Sequence, residues 1–328
     1  MKKIFLVSIA GLGMLSLASC NNNDKKMETI NFYLPDGTPC LAVANMLDEG
    51  FEYDNKKVEF KFQEASTIGA SIASDDCTLA ICPTVVAAKI YSQGVDIRLA
   101  TNNVFGNLYV VTTGDSNKLS DLVGKKVYTT SGTTKSLLEY ELKKNNIEYQ
   151  DGETAVDGKV TFHVMSAASE YIPSLKQAAT KGEEAIAILG EPAVTNAMAK
   201  VGEKLKIAID MQEEYSNLNQ TSTVTKYPQA SIVVKESFAS DNKDFMNKLY
   251  DKLNENLDYL KNNYSTLGTV LGKEEYQSSI ASTTFTLDTI NRCNIGLKKS
   301  YMNKEYNNNY IKELMNGLSV DDGFYFEF

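Results

Sequence analysis

One histidine, two arginines, six prolines and no tryptophan occur among the 328 residues. The lone His163 excludes multi-histidine zinc sites, the two-histidine iron triad and HExxH metalloproteases, which need more imidazoles than the chain contains. Neither a GxGxxG dinucleotide turn nor a GxxxxGK[ST] phosphate loop is present. No metal ion and no cofactor is expected. Basic residues number 33 against 42 acidic ones, a formal charge of −9. Phosphate binding rests on clustered lysine and arginine, so nucleic acid is not an expected partner.

A membrane span is missing too. Lys2 and Lys3 precede an uncharged stretch over 4–17, too short for a spanning helix of about twenty residues and suited to a secretory h-region. Leu17-Ala18-Ser19-Cys20 follows and resembles the bacterial lipobox, in which the cysteine is diacylated and becomes the new N-terminus. That resemblance implies a signal peptide over 1–19, lipidation at Cys20, a polar tether over 20–27, and an exported protein anchored by lipid to the outer face of the cell membrane. Removing 19 of 328 residues leaves 309, and losing two lysines lowers the charge from −9 to −11. Cys40, Cys77, Cys82 and Cys293 remain. Cys77 and Cys82 flank a strand-like run that holds them too far apart to bond. Buried free thiols are the simpler reading, one long-range disulfide the alternative.

The length exceeds a single domain of roughly 150 residues, which favours two lobes. Residues 30–34, 58–62, 78–82 and 97–100 read as strands, separated by helical runs that open at Thr38-Pro39, Ser66-Thr67 and Pro83-Thr84. Such alternation predicts a parallel sheet flanked by helices. The pattern then restarts: strands over 108–113, 125–130, 160–165, 185–189 and 205–209 alternate with helices after Ser131-Gly132-Thr133-Thr134, Ser169 and Gly190-Glu191-Pro192. A strand over 230–234 follows. Phe245, Leu249, Leu253, Leu257 and Leu260 then mark a long helix, and a last helix is expected over 298–315. Both terminal helices are expected on the first lobe. The expected fold is α/β, two lobes of mostly parallel sheet, with 28–105 and 226–328 in lobe 1 and 106–225 in lobe 2.

No catalytic set assembles. Ser131 has no histidine tied to it, and His163 lies in an alternating strand among apolar neighbours. More informative are the five strand-to-helix turns, at 36–39, 65–67, 82–84, 131–134 and 190–192, built from small, hydroxyl and proline residues. In open parallel sheets such turns share the carboxyl edge, where ligands bind. Helix starts offer N–H groups and partial positive charge, although helix capping alone uses the same residues. Glu191 suits either a dipole contact or a hydrogen bond from a ligand. Asn107 and Tyr109 fall where the chain crosses between lobes.

The segments "INFYLPDGTPCLAVANML", "DLVGKKVY" and "GEPAVTNA" resemble type II periplasmic solute-binding proteins of ABC importers, in the branch of taurine, aliphatic-sulfonate, nitrate and thiamine-precursor receptors. The resemblance spans about residues 28–260. It implies a two-lobed, monomeric, non-enzymatic receptor that holds a small solute in the interlobe cleft and passes it to a permease with its ATPase subunits. Ligand contacts would come from Thr38, Pro39, Ser66, Thr67, Pro83 and Thr84 in lobe 1, and from Ser131, Gly132, Thr133, Thr134 and Glu191 in lobe 2, with Asn107 and Tyr109 at the hinge. Hinge closure would accompany binding. Pyrimidine-precursor synthases on this fold are similar, but they use clustered cysteines and consume their own histidine; here the cysteines are scattered and the histidine is in a strand. A surface adhesin or sensor module is the third reading. Only Arg98 and Arg292 could supply a guanidinium, and neither lies near the turns in sequence. Neutral or zwitterionic ligands therefore fit as well as the anions that an arginine fork would hold.

Overall fold

The computed structural model describes residues 27–218 and 226–328. The expected signal peptide, Cys20 and all of the tether except Met27 lie outside them. Two β-sheets, each covered by helices on both faces, make up the described chain, the α/β arrangement that the alternating pattern predicts.

The chain first lays down β1 (Glu28–Pro35), β2 (Glu52–Tyr53), β3 (Lys56–Gln63), β4 (Leu79–Pro83) and β5 (Ile97–Val104). It crosses to a second sheet of β6 (Leu108–Thr112), β7 (Lys126–Thr130), β8 (Tyr149–Asp151), β9 (Val160–Met165), β10 (Ile186–Gly190) and β11 (Lys206–Asp210). It then returns to the first with β12 (Ala230–Lys235) and β13 (Ile295–Lys299). The seven-stranded sheet has the order β13-β5-β12-β4-β1-β3-β2, the six-stranded one β11-β6-β10-β7-β9-β8.

Both sheets are mixed. β1 is parallel to β3 and β4, and β7 is parallel to β9 and β10, as right-handed βα units require. The antiparallel members mark the crossings. β6 is the first strand after the outward crossing and runs against β10 and β11. β12 is the first after the return and runs against β4 and β5. In sequence the first hundred residues read as one parallel run. In the fold β5 lies between two antiparallel strands, because β12 occupies the place beside β4.

The helices are α1 (Ala44–Glu49), α2 (Ile68–Ala73), α3 (Thr84–Ser92), α4 (Thr133–Lys144), α5 (Ala168–Lys181), α6 (Ala193–Val201), α7 (Met211–Leu218), α8 (Glu236–Asp241), α9 (Lys243–Asn263), α10 (Leu267–Leu271), α11 (Leu287–Cys293) and α12 (Lys304–Leu314). Side chains alternate across a strand, so Ile30, Phe32 and Leu34 of β1 face one way, into a core with Leu41, Leu47 and the Met246, Leu249, Leu253 and Leu260 stripe of α9. On the opposite face Ala80, Cys82 and Val233 meet α2 and α3 through Ile72, Ala87 and Ile90. The six-stranded sheet packs Val110, Val127 and Ile188 on Leu137, Leu138 and Leu142 of α4, and Val111, Ala187 and Leu189 on Tyr171, Leu175 and Val194 of α5 and α6.

The last helix is shorter than expected and differently placed. Lys298 and Lys299 belong to β13, and α12 begins at Lys304. It straddles the two halves: Ile311 enters the core of the seven-stranded half, while neighbouring Tyr310 stacks on Tyr227 (centroids 5.8 Å apart) beside Tyr215. Lys144 of α4 pairs with Glu313 at 3.0 Å. The four cysteines among the described residues, Cys40, Cys77, Cys82 and Cys293, are buried free thiols. Among the described residues no helix is long and apolar enough to cross a membrane.

Candidate functional site at the joint between the sheets

The outward crossing is Phe105-Gly106-Asn107, between β5 and β6. Gly106 has φ +81°, and a Cβ there would lie 2.7 Å from Gln212 Cγ and from Tyr227 Cζ. Glycine alone meets both demands. The tight passage pins Asn107, which is 3 % exposed. Its backbone N–H donates to Gln229 Oε1 at 3.0 Å. Its amide Nδ2 donates to Thr38 Oγ1 at 2.7 Å and to the Glu191 carbonyl at 3.1 Å. The Thr38 hydroxyl in turn donates to that same carbonyl, and Glu191 N–H donates to the Asn107 carbonyl at 2.9 Å. Three of the residues expected at the site, from three distant stretches of chain, are thus one hydrogen-bonded cluster. Thr38 does not cap its helix: Gly37 holds the cap position, and the hydroxyl is turned across the joint.

The Glu191 carboxylate is fully buried, and its partner corrects the sequence reading that no arginine is available near these turns. Arg292 Nε donates to Glu191 Oε1 at 2.5 Å, and Arg292 Nη2 donates to Thr195 Oγ1 at 3.1 Å. Glu191 also accepts the Thr195 N–H of the first turn of α6 at 3.1 Å, a favourable contact with the positive end of that helix. Arg292 reaches the site from α11, 101 residues further along the chain. Thr286 starts that helix, its hydroxyl accepting the Thr289 N–H at 3.1 Å. Around the ion pair, Thr195 meets Thr289 (3.2 Å), Asn196 donates to Thr283 (3.0 Å), and the Tyr109 hydroxyl donates to the Arg292 carbonyl (3.0 Å). Burial holds the Tyr109 phenol far above its ordinary range, so it stays a donor.

The other expected residues are placed differently. Thr84 is buried in the seven-stranded half, its hydroxyl 2.7 Å from Ser231, which accepts from Asn102. Pro83 caps α3 and Pro39 lies in the short helix Thr38–Val43, both half-buried. Ser66 and Thr67 are exposed, and the Thr67 hydroxyl donates to Glu64 O at 2.9 Å. Ser131 and Gly132 are exposed, with Thr133 and Thr134 half-buried on the first turn of α4. These follow β3, β4 and β7, on the carboxyl edges that also carry Thr38 and Glu191, but they stand outside the Thr38–Asn107–Glu191 network. No cap residue of α2, α3, α4 or α6 uses its own side chain as a cap.

His163 is half-buried with its ring 5.2 Å from that of Tyr128, and its Nδ1 has no hydrogen-bond partner. Among the described residues no cluster of three or more histidine, cysteine or carboxylate side chains is placed to hold a metal ion.

Two mixed sheets flanked by helices and joined by two crossings make a fold that this chain shares with solved periplasmic binding proteins. The solved structures that share it include an ABC transporter from Parabacteroides distasonis, with a TM-score of 0.71 and 20 % identity over 91 % of this chain and 99 % of that one. They also include the periplasmic aliphatic sulphonate binding protein SsuA from Escherichia coli (TM-score 0.62, 12 % identity, 92 % of each chain). A putative sulfonate ABC transporter protein from Methylobacillus flagellatus scores 0.57 at 14 % identity, over 92 % of this chain and 91 % of that one. No family model and no curated protein matches the sequence.

Proposed function

We propose that the protein is an extracytoplasmic solute receptor that binds a small polar molecule between its two halves and delivers it to an ABC permease and its ATPase. Residues 28–105 with 226–328 form one moving body, and 106–225 form the other. Lipid on Cys20 holds the monomer at the outer face of the membrane. The observation that carries this reading is the chemistry of the joint. On the side of Thr38, Asn107, Glu191 and Arg292 the halves meet through hydrogen bonds and one ion pair. Water can replace such contacts, so this side of the joint can open, while the packing of Tyr227 and Tyr310 against Tyr215 holds the halves together as a pivot. In the closed form Thr38, Asn107 and Glu191 are the floor of the cleft. Ser66, Thr67, Pro83 and Ser131 to Thr134 approach the solute from either side, supported from behind by Pro39, Thr84 and Tyr109.

Two observations support binding rather than chemistry. His163 packs on Tyr128 and the four thiols are buried. The test is a thermal-shift and small-angle scattering screen of the exported chain against sulfonates, pyrimidines, amino acids and vitamins. A solute present at 100 times its Kd should stabilise by about 2.7 kcal/mol and reduce the radius of gyration. If no compound shifts the midpoint and none co-purifies from the native host, the receptor reading falls.

A further inference from the structure

Three elements tie the two halves together. β5 leads into the outward crossing, β12 follows the return, and α12 straddles the joint. One polar residue from each meets the others in the interior of the seven-stranded half. Asn102 of β5, Ser231 of β12 and Asn307 of α12 are all fully buried. Asn102 and Ser231 are direct partners in the β5–β12 ladder. Asn102 Nδ2 donates to Ser231 Oγ and to Asn307 Oδ1, both at 2.8 Å, and Asn307 Nδ2 donates back to Asn102 Oδ1 at 3.2 Å. Asn307 Nδ2 also donates to the Asn303 carbonyl at 3.1 Å, and Ser231 Oγ lies 2.7 Å from the Thr84 hydroxyl.

Stability alone does not call for such a group. Amides lose water on burial, and an apolar pair of the same shape would fill the space about as well. A reciprocal amide pair does what an apolar contact cannot. Its two bonds hold only over a narrow range of distance and angle, whereas apolar side chains slide past one another. Buried polar pairs can fix register in this way. Here the register is that of α12 against β5. Tyr310 lies three residues beyond Asn307 and Glu313 six, about 4.5 and 9 Å along a helix axis at about 1.5 Å per residue. Tyr310 meets Tyr215 of α7 edge-on, with centroids 6.2 Å apart, and Glu313 pairs with Lys144 of α4 at 3.0 Å. Both α4 and α7 belong to the six-stranded half, so the helix seated at Asn307 bears on that half within two turns.

We propose that Asn102 and Asn307 are positioning residues that set the resting angle between the two halves. The amide pair holds α12 in one register against β5, and α12 holds the six-stranded half at the matching angle. The proposal rests on the reading that the halves move relative to one another, but the angle it concerns is that of the solute-free chain.

The test measures distances by pulsed electron spin resonance on the full exported chain without solute. Labels are placed at Lys143→Cys on α4 and Asp258→Cys on α9, both exposed positions, while the four native thiols of the described residues are buried. Asn307→Leu alone leaves the Asn102 amide without its partner and should lower Tm by about 2–4 °C or more. Asn102→Leu/Asn307→Leu keeps both branched shapes and removes both amides, so it should recover most of that loss. Its label-to-label distribution should nevertheless be broader than the parent's and displaced from it. Asn307→Gln, which keeps the amide but moves it by one methylene, should displace the distribution as well. A distribution that superimposes on the parent's in the double variant or in Asn307→Gln overturns the proposal. So does a double variant as unstable as the single one, since the pair would then only hold the fold together. A parent distribution that no solute moves counts against the receptor reading instead, and the solute-free comparison of variants still decides this one.

Discussion

Replacing Glu191 by glutamine tests the joint most directly. The side chain is fully buried and accepts Arg292 Nε at 2.5 Å, while the Arg292 side chain is 29 % exposed. Removing one member of a buried ion pair costs about 3–5 kcal/mol. Water reaches part of this guanidinium, which lowers the loss to about 2–3 kcal/mol. Glutamine keeps an oxygen for the Thr195 N–H, so the loss falls on the contact between the halves. For a chain of this size that is a fall of roughly 4–8 °C in Tm. Arg292→Gln should cost more than Glu191→Gln, because it leaves the carboxylate buried without a counter-charge. The double variant Glu191→Gln/Arg292→Gln should recover part of the sum, with a coupling energy of about 1–3 kcal/mol in a double-mutant cycle followed by calorimetry. Scattering should show the Glu191→Gln chain more open than the parent at the same ionic strength. Additive single effects, or single variants within about 0.5 kcal/mol of the parent, would refute the reasoning.

Three further outcomes follow from the same physics. Gly106→Ala forces a side chain into a positive-φ passage against Gln212 and Tyr227; it should destabilise by more than about 1 kcal/mol, and an unchanged calorimetric midpoint would contradict the packing described. Glu141, wholly buried on α4 with neither oxygen hydrogen-bonded, is pushed up to about 8 by burial and then by Glu214, against Lys144. The folded chain keeps a proton that the unfolded chain releases, so this contribution to stability is complete below the ordinary carboxylate pKa and is lost as pH rises through about 8. Glu141→Gln should therefore flatten the decline of Tm between about pH 5 and 8, and an unaltered slope would count against it. Finally, the four buried thiols, with Cys77 pushed up to about 12 by burial, should resist a chromogenic disulfide reagent until denaturant is added; rapid labelling of any one in the native protein would overturn this.

Much of the fold is legible in the chain because its strands are short apolar runs closed by glycine, proline or hydroxyl residues. β1, β4, β7 and β10 all announce themselves this way. Strand order is not legible by the same means. Nothing local to Ala230–Lys235 says that it inserts between β4 and β5, since the decision is made by the crossings. At the joint, Thr38, Asn107 and Glu191 could be named from their places at strand ends and at a crossing. Thr84 occupies an equivalent place, yet its hydroxyl faces the interior, because side-chain direction at a helix start depends on a phase that spacing does not reveal. Arg292 escaped for a different reason. It is an isolated charge on a seven-residue helix, brought to Glu191 only by the return of the chain.

The insertion of β12 also sets an order of assembly. All strands of the six-stranded sheet lie in one uninterrupted stretch, Leu108 to Asp210, so that half can pair its strands as soon as it has emerged. The other half emerges first and finishes last. β4 and β5 must wait more than a hundred residues for the strand that separates them, and β5 waits longer still for β13. In that interval the apolar run Leu79-Ala80-Ile81-Cys82 has an unpaired edge, the state in which strands pair with the wrong neighbour. The period in which this protein is most open to aggregation, and in which a chaperone has most to protect, is therefore set by its connectivity rather than by its composition.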